Sequence, residues 1–273
     1  MMLYTVNGAP AYCYTAGKPF DPAKPTVVLI HGVLCDHSVW ALQSRYMANH
    51  GWNVLAVDLP GHARSRGEAP ASVEQAAEFI VALLDTAGVP RAALVGHSWG
   101  SLIAMEAAAR LGERATHLVM VGSAYPMKVS PALLDSALNT PEKALKMVTV
   151  FSCSTLAPPS GAGSWVFGAG MALGRRVLRS NAQVNLLHRG FTACDSYTRG
   201  EQAMAAVQCP VLFVLGEKDQ MTPPKAAQTL VSAARSAVRQ VQVVTVPVGH
   251  NQMTEAPDAT LAALRDFLAQ AWL

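Results

Sequence analysis

Compact runs of apolar residues recur along the chain and alternate with stretches of helical character. Continuous runs of this kind are typical of β-strands buried on both faces of a sheet. They cover residues 27–30, 54–57, 92–95, 118–121, 211–215 and 241–246. Two further runs, 3–6 and 11–14, flank Asn7-Gly8, a dipeptide that favours a hairpin turn. The pattern therefore predicts a sheet that begins with an antiparallel hairpin.

Helix signals fill the intervals between these runs. Ser72 and Gln75 have the spacing of a capping box, and Gly112 suits the end of a helix. Thr222 followed by Pro223 indicates a cap and a proline in the first turn. Predicted helices span residues 38–50, 72–87, 99–111, 224–238 and 257–271. Such alternation predicts an α/β fold, with a mostly parallel sheet and helices on both faces.

The alternation stops between Pro126 and Val207. This stretch lacks a convincing strand run, contains several glycines and the pair Pro158-Pro159, and includes apolar helical pieces at 133–138 and 144–151. We interpret it as an inserted, mainly helical cap. The predicted organisation is a core formed by residues 1–124 and 208–273, interrupted by a cap over residues 125–207.

Large flexible and aromatic side chains are frequent in the predicted cap. At helical spacing, such residues more often pack inside a structure than contact a ligand. They are Met127, Met147, Phe151, Trp165, Phe167 and Met171.

Composition narrows the class of protein. The 273 residues suit one large domain with an insertion, and no apolar run reaches the ~18 residues of a membrane span. The first ten residues resemble a strand rather than a signal peptide. Five scattered cysteines show no disulfide or zinc spacing, which predicts reduced thiols in a cytoplasmic protein. The net charge of +3 is dispersed and does not suggest nucleic-acid binding.

A candidate nucleophile lies in the pentapeptide Gly96-His97-Ser98-Trp99-Gly100. The G-x-S-x-G pattern alone is weakly specific. Here it follows an apolar run directly and precedes a predicted helix, which is the strand–turn–helix context of a nucleophile elbow. The glycines leave room where the backbone turns sharply. We therefore predict Ser98 as the nucleophile, in preference to a serine that only caps a helix.

A serine hydroxyl attacks a substrate only when a base removes its proton, and a carboxylate is needed to orient that base. His250 directly follows the last apolar run, so it should lie at the carboxyl end of a strand, where α/β proteins place their sites. Asp219 follows the preceding run and gives the chain order Ser, Asp, His. Glu217 is the closest rival carboxylate, while Asp195 and Asp135 fall in the predicted cap.

Backbone donors for an oxyanion complete the predicted machinery. The N–H of Trp99, the residue after the nucleophile, should supply one donor. His31-Gly32-Val33 follows an apolar run, and the N–H of Val33 could supply the other. A glycine turn without this role is the simpler alternative for that segment.

Together these segments resemble the α/β-hydrolase family with a cap. The resemblance covers nearly the whole chain and rests on His31-Gly-Val-Leu34 with Trp40, Asp58-Leu-Pro-Gly-His62, the pentapeptide 96–100, Gly216-Glu-Lys-Asp219 and Gly249-His250. It implies an eight-stranded sheet, a Ser–Asp–His triad and no cofactor. Ala63 stands where such proteins often have a second glycine. The serine nucleophile argues against the chemistry of haloalkane dehalogenases and epoxide hydrolases, which use aspartate.

The favoured hypothesis is a hydrolase that cleaves small or medium carboxylic esters through an acyl-enzyme on Ser98. The same triad would serve a carbon–carbon bond hydrolase, a lactonase or a perhydrolase. A ligand-binding protein with little turnover is the alternative from another class, because a fold does not fix a function. The expected partner is a small apolar substrate, and the sequence leaves its identity and the oligomeric state open.

Overall fold

A single sheet of eight strands forms the centre of the molecule. The computed structural model describes residues 1–154 and 162–270, and of residues 162–165 it describes the backbone only. All the predicted strands are present, most of them slightly longer than the apolar runs. They are β1 Met2–Val6, β2 Ala9–Tyr14, β3 Thr26–Ile30, β4 Asn53–Val57, β5 Ala92–His97, β6 Ala115–Val121, β7 Val211–Gly216 and β8 Val241–Val246.

The strand order is β1-β2-β4-β3-β5-β6-β7-β8. Strands β1 and β2 form the predicted antiparallel hairpin, and the turn residues Asn7 and Gly8 both have positive φ. Strand β2 pairs antiparallel with β4, whereas strands β3 to β8 are all parallel to one another. The prediction of a mostly parallel sheet is therefore confirmed.

The helices connect the strands and cover both faces of the sheet. Those in the described part of the chain are α1 Ala41–Asn49, α2 Val73–Thr86, α3 Trp99–Leu111, α4 Pro131–Asn139, α5 Pro141–Ser152, α6 Ala162–Ser180, α7 Leu186–Ser196, α8 Gly200–Ala206, α9 Gln228–Ala237, α10 Gln252–Glu255 and α11 Pro257–Leu268. None of these helices is both long enough and apolar enough to cross a membrane.

Three helix predictions differ from the structure. Residues 38–50 do not form one helix, because a 3-10 turn, His37–Trp40, precedes α1. Residues 224–238 do not form one helix, because a 3-10 turn, Pro224–Ala227, precedes α9. Thr222 does not cap that turn, since its hydroxyl is bound to Asp219 instead. The last helix ends at Leu268, and Ala271 lies outside the described residues.

Successive residues of the central strands pack into two different apolar cores, one on each face of the sheet. Val28 and Ile30 of β3 pack with α2 and α3, whereas Val27 and Leu29 pack with α1 and α11. Side chains alternate across a strand, so only a continuous apolar run can satisfy helices on both faces. Each fully buried aliphatic side chain stabilises the fold by roughly 1.5–3 kcal/mol. This double burial explains why the strands were visible in the sequence.

Helices α4 to α8 are inserted between β6 and β7. Buried residues of the first four form a separate apolar cluster. Leu34 and Ala69, from outside the inserted segment, also belong to this cluster. Helix α8 packs instead against α3 and α9. The pair Pro158-Pro159 lies outside the described residues. The cap boundaries at residues 125 and 207 therefore remain a prediction.

The connection from β5 to α3 is a single residue, Ser98, with φ of 55° and ψ of −121°. A Cβ on Gly96 would stand 1.9 Å from the carbonyl oxygen of Gly100, and a Cβ on Gly100 would stand 2.4 Å from that of Ile30. Helix α3 can therefore start close above β5 and β3 only with glycine at both positions.

We predict that Gly96→Ala destabilises the protein severely. Its new methyl group meets backbone atoms that cannot move aside, so the free energy of unfolding should fall by about 3 kcal/mol or more. Urea denaturation measures this change. Gly168→Ala in α6 is the matched control, because its Cβ meets nothing within 4 Å. That change should stabilise the helix by up to about 1 kcal/mol. Equal stability of the two variants would contradict this account of the turn.

Candidate active site

Ser98 occupies the sharpest turn of the sheet. A positive φ in a non-glycine residue costs of order 1–3 kcal/mol and is held by its surroundings. Here the Ser98 N–H donates to the Val121 carbonyl at 2.9 Å, which ties the turn to β6. The side chain is half-buried and lines a cavity. The strain thus presents the hydroxyl to the cavity rather than to the core.

His250 and Asp219 form a buried hydrogen-bonded pair. The His250 Nδ1 lies 2.8 Å from Asp219 Oδ2, and both side chains are almost fully removed from water. A carboxylate beside Nδ1 favours the tautomer with its proton on Nδ1, which leaves the Nε2 lone pair free to accept a proton. The structure therefore brings together the base and the acid that the sequence suggested.

The Asp219 carboxylate is held ionised by its surroundings. The backbone N–H groups of Met221 and Thr222 each donate to Oδ1 at 2.8 Å. Burial alone would raise the pKa of Asp219, but attraction to His250 and the hydrogen bonds from His250 and Thr222 outweigh it. The pKa of Asp219 consequently lies below its ordinary value, so the carboxylate stays negative beside the imidazole.

Thr222 is a site residue that sequence reasoning missed. Its hydroxyl donates to Asp219 Oδ2 at 2.8 Å and lies 3.0 Å from His250 Nδ1. The threonine was interpreted as a helix cap because Pro223 follows it. Its true environment depends on a contact with His250, 28 residues further along the chain, and no local signal reveals that contact.

The rival carboxylates do not contact the histidine. Glu217 is exposed at the end of β7. Asp195 accepts a hydrogen bond from the Val129 N–H at 3.0 Å, and Asp135 accepts one from Asn139 at 2.8 Å. Both of the latter are engaged within the inserted segment. Asp219 is thus the carboxylate that meets His250 in the described structure.

His97 lies behind the candidate base rather than in the cavity. Its Nε2 is 2.8 Å from the His250 carbonyl oxygen, and the two ring centroids are 4.7 Å apart. Burial lowers the pKa of His97 to about 3, and repulsion from His250 acts in the same direction. The neutral imidazole therefore supports the histidine loop, defined here as residues 248–251, through the His250 carbonyl.

Two backbone N–H groups near Ser98 are free to bind an anion. Those of Val33 and Trp99 have no acceptor among the described residues. Gly32 brings the first one close, since a Cβ on it would lie 3.1 Å from the Ser98 Cβ. Trp99 opens α3, whose N-terminus favours negative charge. Backbone N–H groups without an acceptor beside a serine are the kind of donor that can stabilise an oxyanion.

A cavity of about 280 Å³ opens beside Ser98. Residues of α4, α5, α7 and the loop before α4 line it together with Val33, Ser98 and residues 220–222. The inserted helices and the loops at the carboxyl ends of the strands therefore share its walls. Met127, Met147 and Phe151 line it, whereas Met171 belongs to the apolar cluster of the inserted helices and Phe167 packs against that cluster. The side chain of Trp165 lies outside the described residues. Met127 also belongs to a buried apolar cluster and Met147 packs against another, so packing and lining the cavity do not exclude each other for these side chains.

Comparison with known proteins agrees with this geometry. The profile of the alpha/beta hydrolase family matches residues 27–264. The chain is an α/β-hydrolase. A pimeloyl-(acyl-carrier protein) methyl ester esterase from Neisseria meningitidis serogroup A is 28% identical over 265 residues, which cover 92% of this chain and 79% of the relative.

Solved structures show the same fold. The enol-lactonase from Burkholderia xenovorans LB400 has a TM-score of 0.84 at 21% identity, with 98% of this chain and 100% of that chain covered. An esterase from Exiguobacterium antarcticum has a TM-score of 0.80 at 17% identity and covers 98% and 99% of the two chains. At such identities the likeness concerns the fold.

The departure of this α/β-hydrolase at Ala63 has a structural explanation. Ala63 has a φ of 46°, a conformation that glycine adopts without strain. Its N–H donates to the Ser180 hydroxyl at 2.9 Å, so a residue of α6 holds the loop in place. The substitution touches neither Ser98 nor the Asp219–His250 pair.

One group of metal-ligating side chains occurs in the described part of this α/β-hydrolase. Ligand atoms of Asp36, His37 and Asp58 lie within 4.8 Å of one another. The Arg176 guanidinium already binds Asp36 at 2.6 Å, and His37 already binds Asp58 at 2.7 Å. The Arg176 guanidinium thus supplies the positive charge that a bound cation would otherwise provide at Asp36. The cluster also joins α6 to the loop after β3.

We predict that His97→Gln flattens the dependence of stability on pH. Because the folded-state pKa lies at about 3 and the unfolded value near 6.5, stability is lost as pH falls below about 6.5. Each such histidine contributes a slope of up to about 1.4 kcal/mol per pH unit. Urea unfolding from neutral to mildly acidic pH measures the slope. Parallel curves for the two proteins would contradict a neutral buried His97.

Proposed function

We propose that this α/β-hydrolase cleaves small or medium carboxylic esters with Ser98 as nucleophile, His250 as general base and Asp219 as orienting acid. The observation that carries the proposal is a strained serine that lines an apolar cavity, with two free backbone N–H groups near it. A buried Asp219–His250 pair supports it further, since both residues contact Thr222, which lines the same cavity. Each of these groups has a separate role in acyl transfer.

The proposed reaction has two stages, in which an acyl-enzyme forms on Ser98 and is then hydrolysed. His250 Nε2 accepts the Ser98 proton while the serine oxygen attacks the ester carbonyl carbon. The N–H groups of Val33 and Trp99 stabilise the oxyanion that forms. Collapse of the tetrahedral intermediate transfers the proton from His250 to the leaving alcohol and leaves an acyl-enzyme. Water, deprotonated by His250, then releases the carboxylic acid and restores Ser98.

The cavity favours an apolar acyl group of limited length. Its volume of about 280 Å³ lies at the small end of ligand pockets, which span roughly 300–1,000 Å³. Most lining side chains are apolar, with Met127, Met147 and Phe191 among them. The relative from Neisseria is named as a methyl ester esterase, so methyl esters belong in the substrate panel. We expect short to medium acyl chains to be preferred.

The decisive experiment is covalent labelling. A fluorophosphonate should modify Ser98 stoichiometrically, because it needs the base and the oxyanion donors that ester hydrolysis needs. Ser98→Ala should abolish labelling and turnover of p-nitrophenyl and methyl esters while leaving the fold intact. Mass spectrometry of peptides locates the label.

Ser130 provides the matched control. It lines the same cavity, but its hydroxyl caps α4 by accepting from the Leu133 N–H. Ser130→Ala should cost about 1 kcal/mol of stability through the lost cap and leave labelling unchanged. A label on Ser130, or no label on the folded protein, would remove the basis for a serine hydrolase.

A second prediction separates the two carboxylates at the end of β7. Asp219→Asn should lower kcat by up to about ten thousandfold, since the imidazole loses both its tautomer and the partner for its charged form. Glu217→Gln should change kcat little, because the Glu217 side chain is exposed. Steady-state kinetics of both variants provide the test. A crippling effect of Glu217→Gln would show that the acid is assigned wrongly.

A further inference from the structure

The backbone of the candidate base is anchored to the inserted segment. The His250 N–H donates to the Ser152 carbonyl at 2.8 Å, and the Asn251 N–H donates to the same oxygen at 3.3 Å. Ser152 is the last residue of α5. The position of the histidine loop therefore depends on where α5 ends.

Glu255 strengthens this junction from the other side. Its Oε2 accepts from the Ser154 N–H at 2.9 Å, from the Ser154 hydroxyl, and from the Gly249 N–H at 3.4 Å. The carboxylate thus binds the segment that leaves α5 and the histidine loop at once. A Cβ on Gly249 would stand 2.7 Å from the Ser152 carbonyl oxygen and 2.8 Å from the Ser154 nitrogen. The two segments are therefore in direct contact.

The carboxylate is not placed there for stability alone. Its second oxygen, Oε1, is buried and has no partner among the described residues. An unsatisfied buried oxygen of a charged group costs free energy, so a residue that keeps one is a candidate for a functional role.

The same helix forms a wall of the substrate cavity. Met147 and Phe151 of α5 line the cavity together with Ser98. An acyl chain long enough to touch Phe151 would press on the helix whose last carbonyl holds His250. One helix thus connects a wall of the cavity with the loop that carries His250.

We propose that Glu255 is a positioning residue that fixes the end of α5 against the histidine loop, so that an acyl chain packed on Phe151 also sets the position of His250. The inference rests on the proposed ester hydrolysis. It adds that the acyl chain of the ester raises kcat in addition to contributing to substrate binding. Small displacements of a base matter, because about 1 Å of misplacement can cost as much as about 100-fold in rate.

The test compares p-nitrophenyl acetate with p-nitrophenyl hexanoate. In the wild-type protein kcat should rise with chain length. Glu255→Ala should lower kcat for hexanoate by about 10-fold and for acetate much less, while the ratio of the two KM values stays nearly unchanged. Glu255→Gln keeps an acceptor oxygen and should restore most of the chain-length effect. Ser154→Ala should also lower kcat for hexanoate, by a smaller factor. If Glu255→Ala does not fold, Ser154→Ala is the variant that tests the proposal.

Glu106→Gln is the matched control. Glu106 is also a buried carboxylate, bound to the Tyr197 hydroxyl at 2.7 Å, but it lies away from α5 and the histidine loop. This variant should lower the melting temperature and leave the chain-length effect on kcat unchanged.

Four results would overturn the inference. Glu255→Ala could reduce kcat for both esters by the same factor, or Glu106→Gln could shift the chain-length effect as far as Glu255→Ala does. If the wild-type protein neither hydrolyses esters nor takes the fluorophosphonate label, the proposed function fails and this inference fails with it. A labelled, active wild type whose chain-length effect survives Glu255→Ala would overturn the positioning role alone.

Discussion

The positive φ of Ser98 is the constraint on which the rest of the site depends. A serine in that conformation is strained. The conformation persists because the surrounding elements β5, β6 and α3 hold the backbone in place. Gly96 and Gly100 let the helix start against the strands at a distance that any side chain would prevent. The short turn then places the hydroxyl at the cavity and the N-terminus of α3 beside it.

The parallel sheet supplies the remaining groups. The carboxyl ends of β3, β5 and β7 lie along the same edge, so the loops after them carry Val33, Ser98 and Asp219 to one place. His250 follows β8 at the end of the sheet. Its loop is held by the Ser152 carbonyl on one side and by His97 on the other. The inserted helices thus line the cavity beside Ser98 and also hold the loop that carries His250.

Electrostatics inside the site are set by burial together with hydrogen bonding. Asp219 remains ionised because the bonds from His250 and Thr222 outweigh the cost of burying its charge. His97 has no carboxylate partner and stays neutral, since burial dominates its pKa. One charged carboxylate and one neutral imidazole therefore flank His250, which gives the candidate base a partner for its protonated form without a second positive charge nearby.

By itself the sequence determined the eight strands, the elbow and the residue types at the strand ends. Apolar runs, glycines and chain order are local signals, and burial on two faces of a parallel sheet demands them. Contacts between segments that are distant along the chain became visible only in the tertiary structure. Thr222 was interpreted as a cap and Glu255 drew no attention, because their partners lie in segments that only packing brings together. A side chain's role follows from the groups around it, and those groups become neighbours only when the chain is folded.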